Sequence, residues 1–206
     1  MAMNTETISV IVEAVLILVV PVVAILLNKK LYHARLKILG AVFLVTLALA
    51  VWHGVPQNVL GFSTVTSSQL LWYLFAAIAF SVLLFFGDKI FVSKNQKIPN
   101  EIYVSSLLLS FSQEFIFNAY FFGKFHSVFG IVIALVLIGL LFGLMHQTLE
   151  RGWKSFWVSF GSGVLLAGVF AVVPNLWLAT IVHSLANIQA LHYRLPGIGP
   201  SLDKLM

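Results

Sequence analysis

The chain has 206 residues, of which 60% are hydrophobic and only 9% charged, and it contains no cysteine. A soluble domain carries about 25% charged residues, so this composition excludes an ordinary water-soluble globule, and the missing cysteines exclude disulfides and thiolate metal sites. The formal charge of +5 has to be explained by where the basic residues fall.

The first apolar run covers residues 8–27. No Lys or Arg precedes it, Glu6 does, and Asn28-Lys29-Lys30 follows it in place of a small-residue cleavage site. It therefore reads as a retained spanning helix, not a signal peptide. Six further apolar segments follow at about 38–53, 70–86, 101–123, 127–146, 156–173 and 176–192. A hydrocarbon layer of about 30 Å takes about 20 helical residues, so each is predicted to span, the second being short. Only Pro174 and Asn175 separate the last two, which predicts a tight antiparallel hairpin. Gly139 and Gly143 on the fifth segment, and Gly161, Gly163 and Gly168 on the sixth, mark close helix packing. The predicted fold class is all-α: one polytopic transmembrane domain over 1–206, a bundle of about seven helices.

Alternate loops divide the basic residues. Lys29, Lys30, Arg35 and Lys37 follow the first segment; Lys89, Lys94 and Lys97 the third; Arg151 and Lys154 the fifth; Arg194 and Lys204 the seventh. Only Lys124 falls on the other side, and the loop from His53 to Gln69 has no formal charge. The positive-inside rule then predicts a cell-membrane protein with its N-terminus outside and its C-terminus cytoplasmic. The positive charge is an orientation signal with some attraction to anionic headgroups of the bilayer; no nucleic-acid partner is expected. There is no internal repeat, low-complexity tract, GxGxxG fingerprint, Walker A loop or HExxH motif.

Charge inside hydrocarbon costs at least ~2.5 kcal/mol per group, and most of the chain avoids it. Glu13 is a mild exception, near enough to the outer end of the first helix to reach the interface. The fourth segment is the exception that matters. It holds Gln113, Glu114 and Asn118 among phenylalanines, and Ser110, Glu114 and Asn118 recur every four residues on one helix face. The seventh segment places His183 and Asn187 four apart in the same way, and the fifth ends in Phe142-Gly143-Leu144-Met145-His146. Singly, an intramembrane His or Asn is an ordinary interhelical hydrogen-bond partner. Together, a carboxylate, two imidazoles and several amides on three helices can activate a water, bind a metal or carry protons. Glu150 lies four after His146 but beside Arg151 and Lys154, and reads as a solvated charge. His33, His53, His126 and His192 sit at segment ends, where interfacial roles are expected.

Three of these motifs, in order, resemble the CPBP family of intramembrane endopeptidases, also called the CAAX-protease or Abi family. That family carries Glu-Glu-xxx-Arg, then Phe-xxx-His, then His-xxx-Asn on successive membrane helices. Here Phe142-xxx-His146 and His183-xxx-Asn187 stand intact, and Gln113-Glu114-xxx-Asn118 stands for the first motif. The resemblance covers a core of approximately 105–192. It implies an intramembrane protease, a hydrolase acting on a membrane protein or peptide that is embedded or lipid-anchored. In that scheme a glutamate of the first motif and His146 activate the water, His183 and Asn187 face the oxyanion, and Asn118 and Phe142 support them. The family is often labelled metalloprotease; His146, His183 and Glu114 are then the candidate ligands of a zinc ion, and a metal-free water is the equal alternative.

Gln113 stands where the family has its water-activating glutamate, and Asn118 where it has arginine. Glu114 as a substitute base, a silencing change at 113, and a naturally inactive relative all remain open. The alternative function is accordingly a non-catalytic or attenuated membrane binding or bacteriocin-immunity protein. A proton-coupled carrier is a third reading, disfavoured by the short chain and the lack of inverted repeats.

Overall fold

In the computed structural model of the protein, the described residues are 5–27, 35–87, 100–146 and 152–192. They form seven helical rods, α1 to α7, and no strand. The basic loops at 28–34, 88–99 and 147–151, and the tail from 193, lie outside the described residues, as do the expectations for His33 and Glu150.

Pro21 shapes the first rod. Proline has no N–H to donate and crowds the carbonyl one turn back. α1 accordingly runs as an α segment Thr5–Ala14, a π-helical turn Val15–Val19 and a second α segment Val20–Leu27, with the Val20 N–H reaching back to the Val15 carbonyl. α2 is Arg35–Trp52 and α3 is Ser67–Gly87. The start of α3 is a reciprocal capping box: the Thr66 N–H donates to Gln69 Oε1 at 3.0 Å and the Gln69 N–H to Thr66 Oγ1 at 3.3 Å.

α4 comprises Asn100–Glu114, a π segment Phe115–Phe121 and Phe122–Phe129. Every residue of the π segment is buried. The sequence predicts a break between 123 and 127; the helix instead continues through Lys124 and stops at Gly130, whose φ of 78° suits only glycine without strain. The apolar run hid the boundary, since Lys124 resembles a loop residue until its partner is seen. α5 (Ile131–His146), α6 (Gly152–Val172) and α7 (Leu176–His192) complete the bundle.

The predicted hairpin of α6 and α7 turns at Pro174-Asn175. Asn175 caps α7 by accepting the Leu178 N–H at 3.0 Å, and its amide reaches Gln69 Oε1 at 3.3 Å. The loop before α3 is pinned here. Gly61 (φ +77°) accepts the Leu176 N–H at 2.9 Å, and a Cβ at Gly61 would stand 2.8 Å from that same nitrogen. The turn of α6–α7 and the entrance of α3 therefore form one rigid end.

α5 packs along α6, and α7 lies against α3 and α4. The glycines explain the first contact. A Cβ on Gly139 would stand 2.6 Å from Val164 Cγ2, and one on Gly163 would stand 2.8 Å from Phe142 Cβ and 3.3 Å from the Gly139 Cα. Gly163→Ala must displace the stem of Phe142, not a flexible tip. It is expected to cost about 1–3 kcal/mol and to lower any activity that needs Phe142 in place. Gly168→Ala, whose new Cβ would meet nothing nearer than 4.0 Å, is the control; thermal unfolding of both variants checks this.

The polarity of the bundle is inverted relative to a soluble protein. Leu44, Val51, Leu71, Leu108 and Val132 are 63–75% exposed, while Ser106, Ser110, Gln113, Glu114, Asn118, His183 and Ser184 are buried. Exposed apolar surface of this extent is unusual for a water-soluble monomer and normal where lipid is the solvent. Thr5–Ala24 alone is long and apolar enough to cross a membrane, and Lys37–Trp52, Ser67–Val82, Ile131–His146 and Phe156–Val172 are shorter apolar stretches among the described residues.

Candidate functional site

α4 and α7 bring the buried polar groups together. Glu114 pairs with His183, and Ser110 with Asn187. A step of four back along α4 matches four forward along α7, so the two helices face each other antiparallel. Each rung of this ladder joins polar groups that neither helix could satisfy alone.

Glu114 is completely buried and both its oxygens are engaged. Oε1 lies 2.7 Å from His183 Nδ1, and Oε2 accepts from the Asn118 amide at 2.5 Å. A buried charge requires such partners, because a carboxylate left alone in apolar surroundings is very costly. Asn118 thus contributes a hydrogen bond where a family arginine would also contribute charge. With Nδ1 facing the carboxylate, His183 has Nε2 as its remaining functional nitrogen.

His146 is oriented in the same way. Its Nδ1 lies 2.8 Å from the Phe142 carbonyl, which can only accept, so Nδ1 carries the proton and Nε2 the lone pair of the neutral ring. Phe142 stacks on His146 with ring centroids 4.5 Å apart and lies 5.2 Å from His183; the two imidazoles are 6.3 Å apart. From the sequence, His146 at the end of α5 looks shallower than Glu114 and His183. The two imidazole rings nonetheless lie 6.3 Å apart. The intact Phe-xxx-His motif thus sets a phenyl ring and an imidazole one turn apart, with the phenyl ring packed against both imidazoles.

Gln113, next to Glu114 on α4, is also buried. Its amide N–H makes only a long contact to Met145 Sδ at 4.0 Å, and its Oε1 has no partner. Asn187 donates to Ser110 Oγ at 3.2 Å, one turn from the Glu114–His183 contact, and Ser184 Oγ lies 3.3 Å from Ser106 Oγ.

Glu114, His146 and His183 do not converge: the carboxylate oxygens are taken up by His183 and Asn118. Among the described residues no three His, Asp or Glu side chains form a metal-holding group. The arrangement does not fit a three-ligand zinc site.

A second polar cluster was not legible in the sequence. Glu13 is partly buried and is held by three side chains. Lys124 Nζ approaches its Oε2 to 2.5 Å, Tyr120 donates to the same oxygen at 3.0 Å, and His53 Nε2 faces Oε1 at 3.2 Å. Glu13, within the first apolar run, and Lys124, the cation read on the outer side, are thus each other's partner. This ion pair ties α1 to α4 beyond the π segment. The only sequence signal was that both charges stood alone.

Two further hydroxyls were missed. Tyr73 of α3 and Thr180 of α7 are each buried, and neither hydroxyl has a hydrogen-bond partner. No spacing rule singles out one tyrosine in an apolar helix.

Residues 96–189 match the family model described as type II CAAX prenyl endopeptidase Rce1-like. No curated protein matches the chain. No solved structure matches it either. The matched stretch contains all three motifs and the helices that join them, the fold is a bundle of apolar helices, and the family is membrane-embedded. Over residues 96–189 this membrane protein is therefore similar to the CPBP, or CAAX-protease, family.

Proposed function

We propose that the chain is an intramembrane endopeptidase that hydrolyses a peptide bond in a lipid-anchored or membrane-embedded substrate. The observation that carries the reading is the buried Glu114–His183 contact of 2.7 Å, beside a second imidazole whose Nε2 is the basic nitrogen. Glu114 holds the His183 ring through Nδ1, as a carboxylate orients a catalytic histidine elsewhere. A histidine Nε2 takes a proton from water while the water oxygen attacks the carbonyl carbon. The proton then passes to the leaving nitrogen as the C–N bond breaks. Asn187, with one amide N–H on Ser110 and one to spare, faces the developing oxyanion.

The prenyl endopeptidases of the matched family suggest the first substrate to try, a farnesylated peptide with a Cys-aliphatic-aliphatic-X tail. The test is cleavage of that peptide and of an unlipidated membrane-spanning peptide by the purified protein in micelles, with and without a chelator. Cleavage of either that survives chelation is expected. Loss on chelation with recovery on zinc addition would assign a metal to the site instead. The orientation read from the basic loops, N-terminus outside and C-terminus cytoplasmic, is part of the same proposal and would put the C-terminal tail on the substrate-supplying side.

One observation favours a second reading. Gln113 replaces a carboxylate with an amide that cannot accept a proton, and both oxygens of Glu114 are already engaged. A non-catalytic membrane binding or immunity role uses the same scaffold and predicts no cleavage of any peptide.

A further inference from the structure

Tyr73 lies outside the matched stretch of 96–189 and outside the three motifs, yet it belongs to the same interior. It is 2% exposed, and its hydroxyl has no hydrogen-bond partner among the described residues. Its level in the bundle follows from the contacts between α3 and α7. Gln69 meets Asn175 and Ser81 meets Gln189 at 3.1 Å, so the two helices run parallel with an offset of 106–108 residues. That register sets Tyr73 beside position 180. Thr180 is the other buried hydroxyl without a partner, one turn before His183.

A buried phenol normally finds an acceptor, and leaving one unpaired costs free energy comparable to a lost hydrogen bond. Here a donor from α3 and a hydroxyl from α7 stand at one level of the bundle, one turn before His183. Asn118 Oδ1 is a third buried atom without a partner, and Asn118 itself is hydrogen-bonded to the Glu114 carboxylate. No group among the described residues lies in hydrogen-bond geometry to the Tyr73 hydroxyl, and the chemistry that suits a phenol donor is an oxygen on which negative charge develops.

We propose that Tyr73 is a further catalytic residue, donating its phenolic hydrogen bond to the substrate's scissile carbonyl oxygen, with Thr180 Oγ1 as the second donor. The inference rests on the endopeptidase reading. It adds α3, which carries no family motif, to the reacting centre.

The test uses the full chain in micelles, with Tyr73→Phe and Thr180→Val read by three measurements. These are cleavage of the farnesylated peptide, binding of a phosphinic analogue of that peptide (a tetrahedral anion at the scissile position), and thermal unfolding. Tyr73→Phe is expected to lower kcat by about 10²–10³-fold with KM little changed. It should also weaken phosphinate binding by a similar factor and leave the unfolding temperature unchanged or raised, because the hydroxyl bonds nothing in the folded chain. Unaltered cleavage and phosphinate binding in Tyr73→Phe would overturn the inference while the endopeptidase reading stands. Tyr73-dependent phosphinate binding without cleavage by the parent chain would support the inference and overturn the reading. A parent chain that neither cleaves nor binds would overturn both, and a fall in stability matching the loss of activity would make Tyr73 structural only.

Discussion

His183→Ala is expected to abolish cleavage and to destabilise the bundle by about 1–3 kcal/mol, the range for leaving a buried hydrogen-bonding group without its partner. The two effects have one cause. Glu114 is fully enclosed, and its Oε1 has His183 Nδ1 as its partner 2.7 Å away. Truncating the imidazole leaves that oxygen without a donor in surroundings that cannot solvate it. The checks are reversible unfolding in mixed micelles and turnover of the farnesylated peptide. Replacing both partners, Glu114→Leu with His183→Leu, should recover much of the stability and none of the activity, since an apolar pair needs no solvation. A double-mutant cycle quantifies this coupling, and neighbouring residues in one network are where additivity fails. If His183→Ala inactivates without destabilising, the contact does not stabilise the fold and Glu114 is free to act otherwise.

Gln113→Glu is expected to raise kcat by about 10²–10⁴-fold, the usual contribution of a positioned general base. The exchange is nearly isosteric. What it alters is one atom, because the present amide makes only a 4.0 Å contact to Met145 Sδ and its Oε1 is unpartnered. A carboxylate there can accept a proton that the amide cannot. The gain should appear only above the pH at which the new carboxyl loses its proton, so the pH profile of kcat should acquire an acidic limb absent from the parent chain. The new charge is buried, and some loss of stability should accompany it. A gain in cleavage would identify the parent as an attenuated protease. No cleavage in either form would leave the scaffold with a binding role.

Much of the architecture was legible in the chain because lipid imposes a simple rule. Apolar runs of about 20 residues must be helices, since a backbone in hydrocarbon has to satisfy its own hydrogen bonds. The seven runs, the hairpin at Pro174-Asn175 and the glycine contact of α5 with α6 follow from that rule and from side-chain size. The end of α4 did not follow, because Lys124 imitates a loop residue and only its contact with Glu13 explains a cation inside the helix. Neither did the π turns, whose extra residue leaves no mark on hydrophobic periodicity.

The same division runs through the site. Helical spacing of four put Glu114 with Asn118 and His183 with Asn187, because local geometry alone makes such residues neighbours. Which oxygen meets which nitrogen depended on how α4 and α7 cross, as did the 6.3 Å between the imidazoles. Tyr73 and Thr180 came together through the register of α3 against α7, which is a sum of contacts distant in sequence. What the sequence by itself determined is what one helix and its solvent dictate: seven apolar helices, and polar groups too costly to be there by chance. Only the tertiary structure decided which of those groups are satisfied and which still have a hydrogen bond to give, since the Glu114–His183 and Ser110–Asn187 partners lie on different helices.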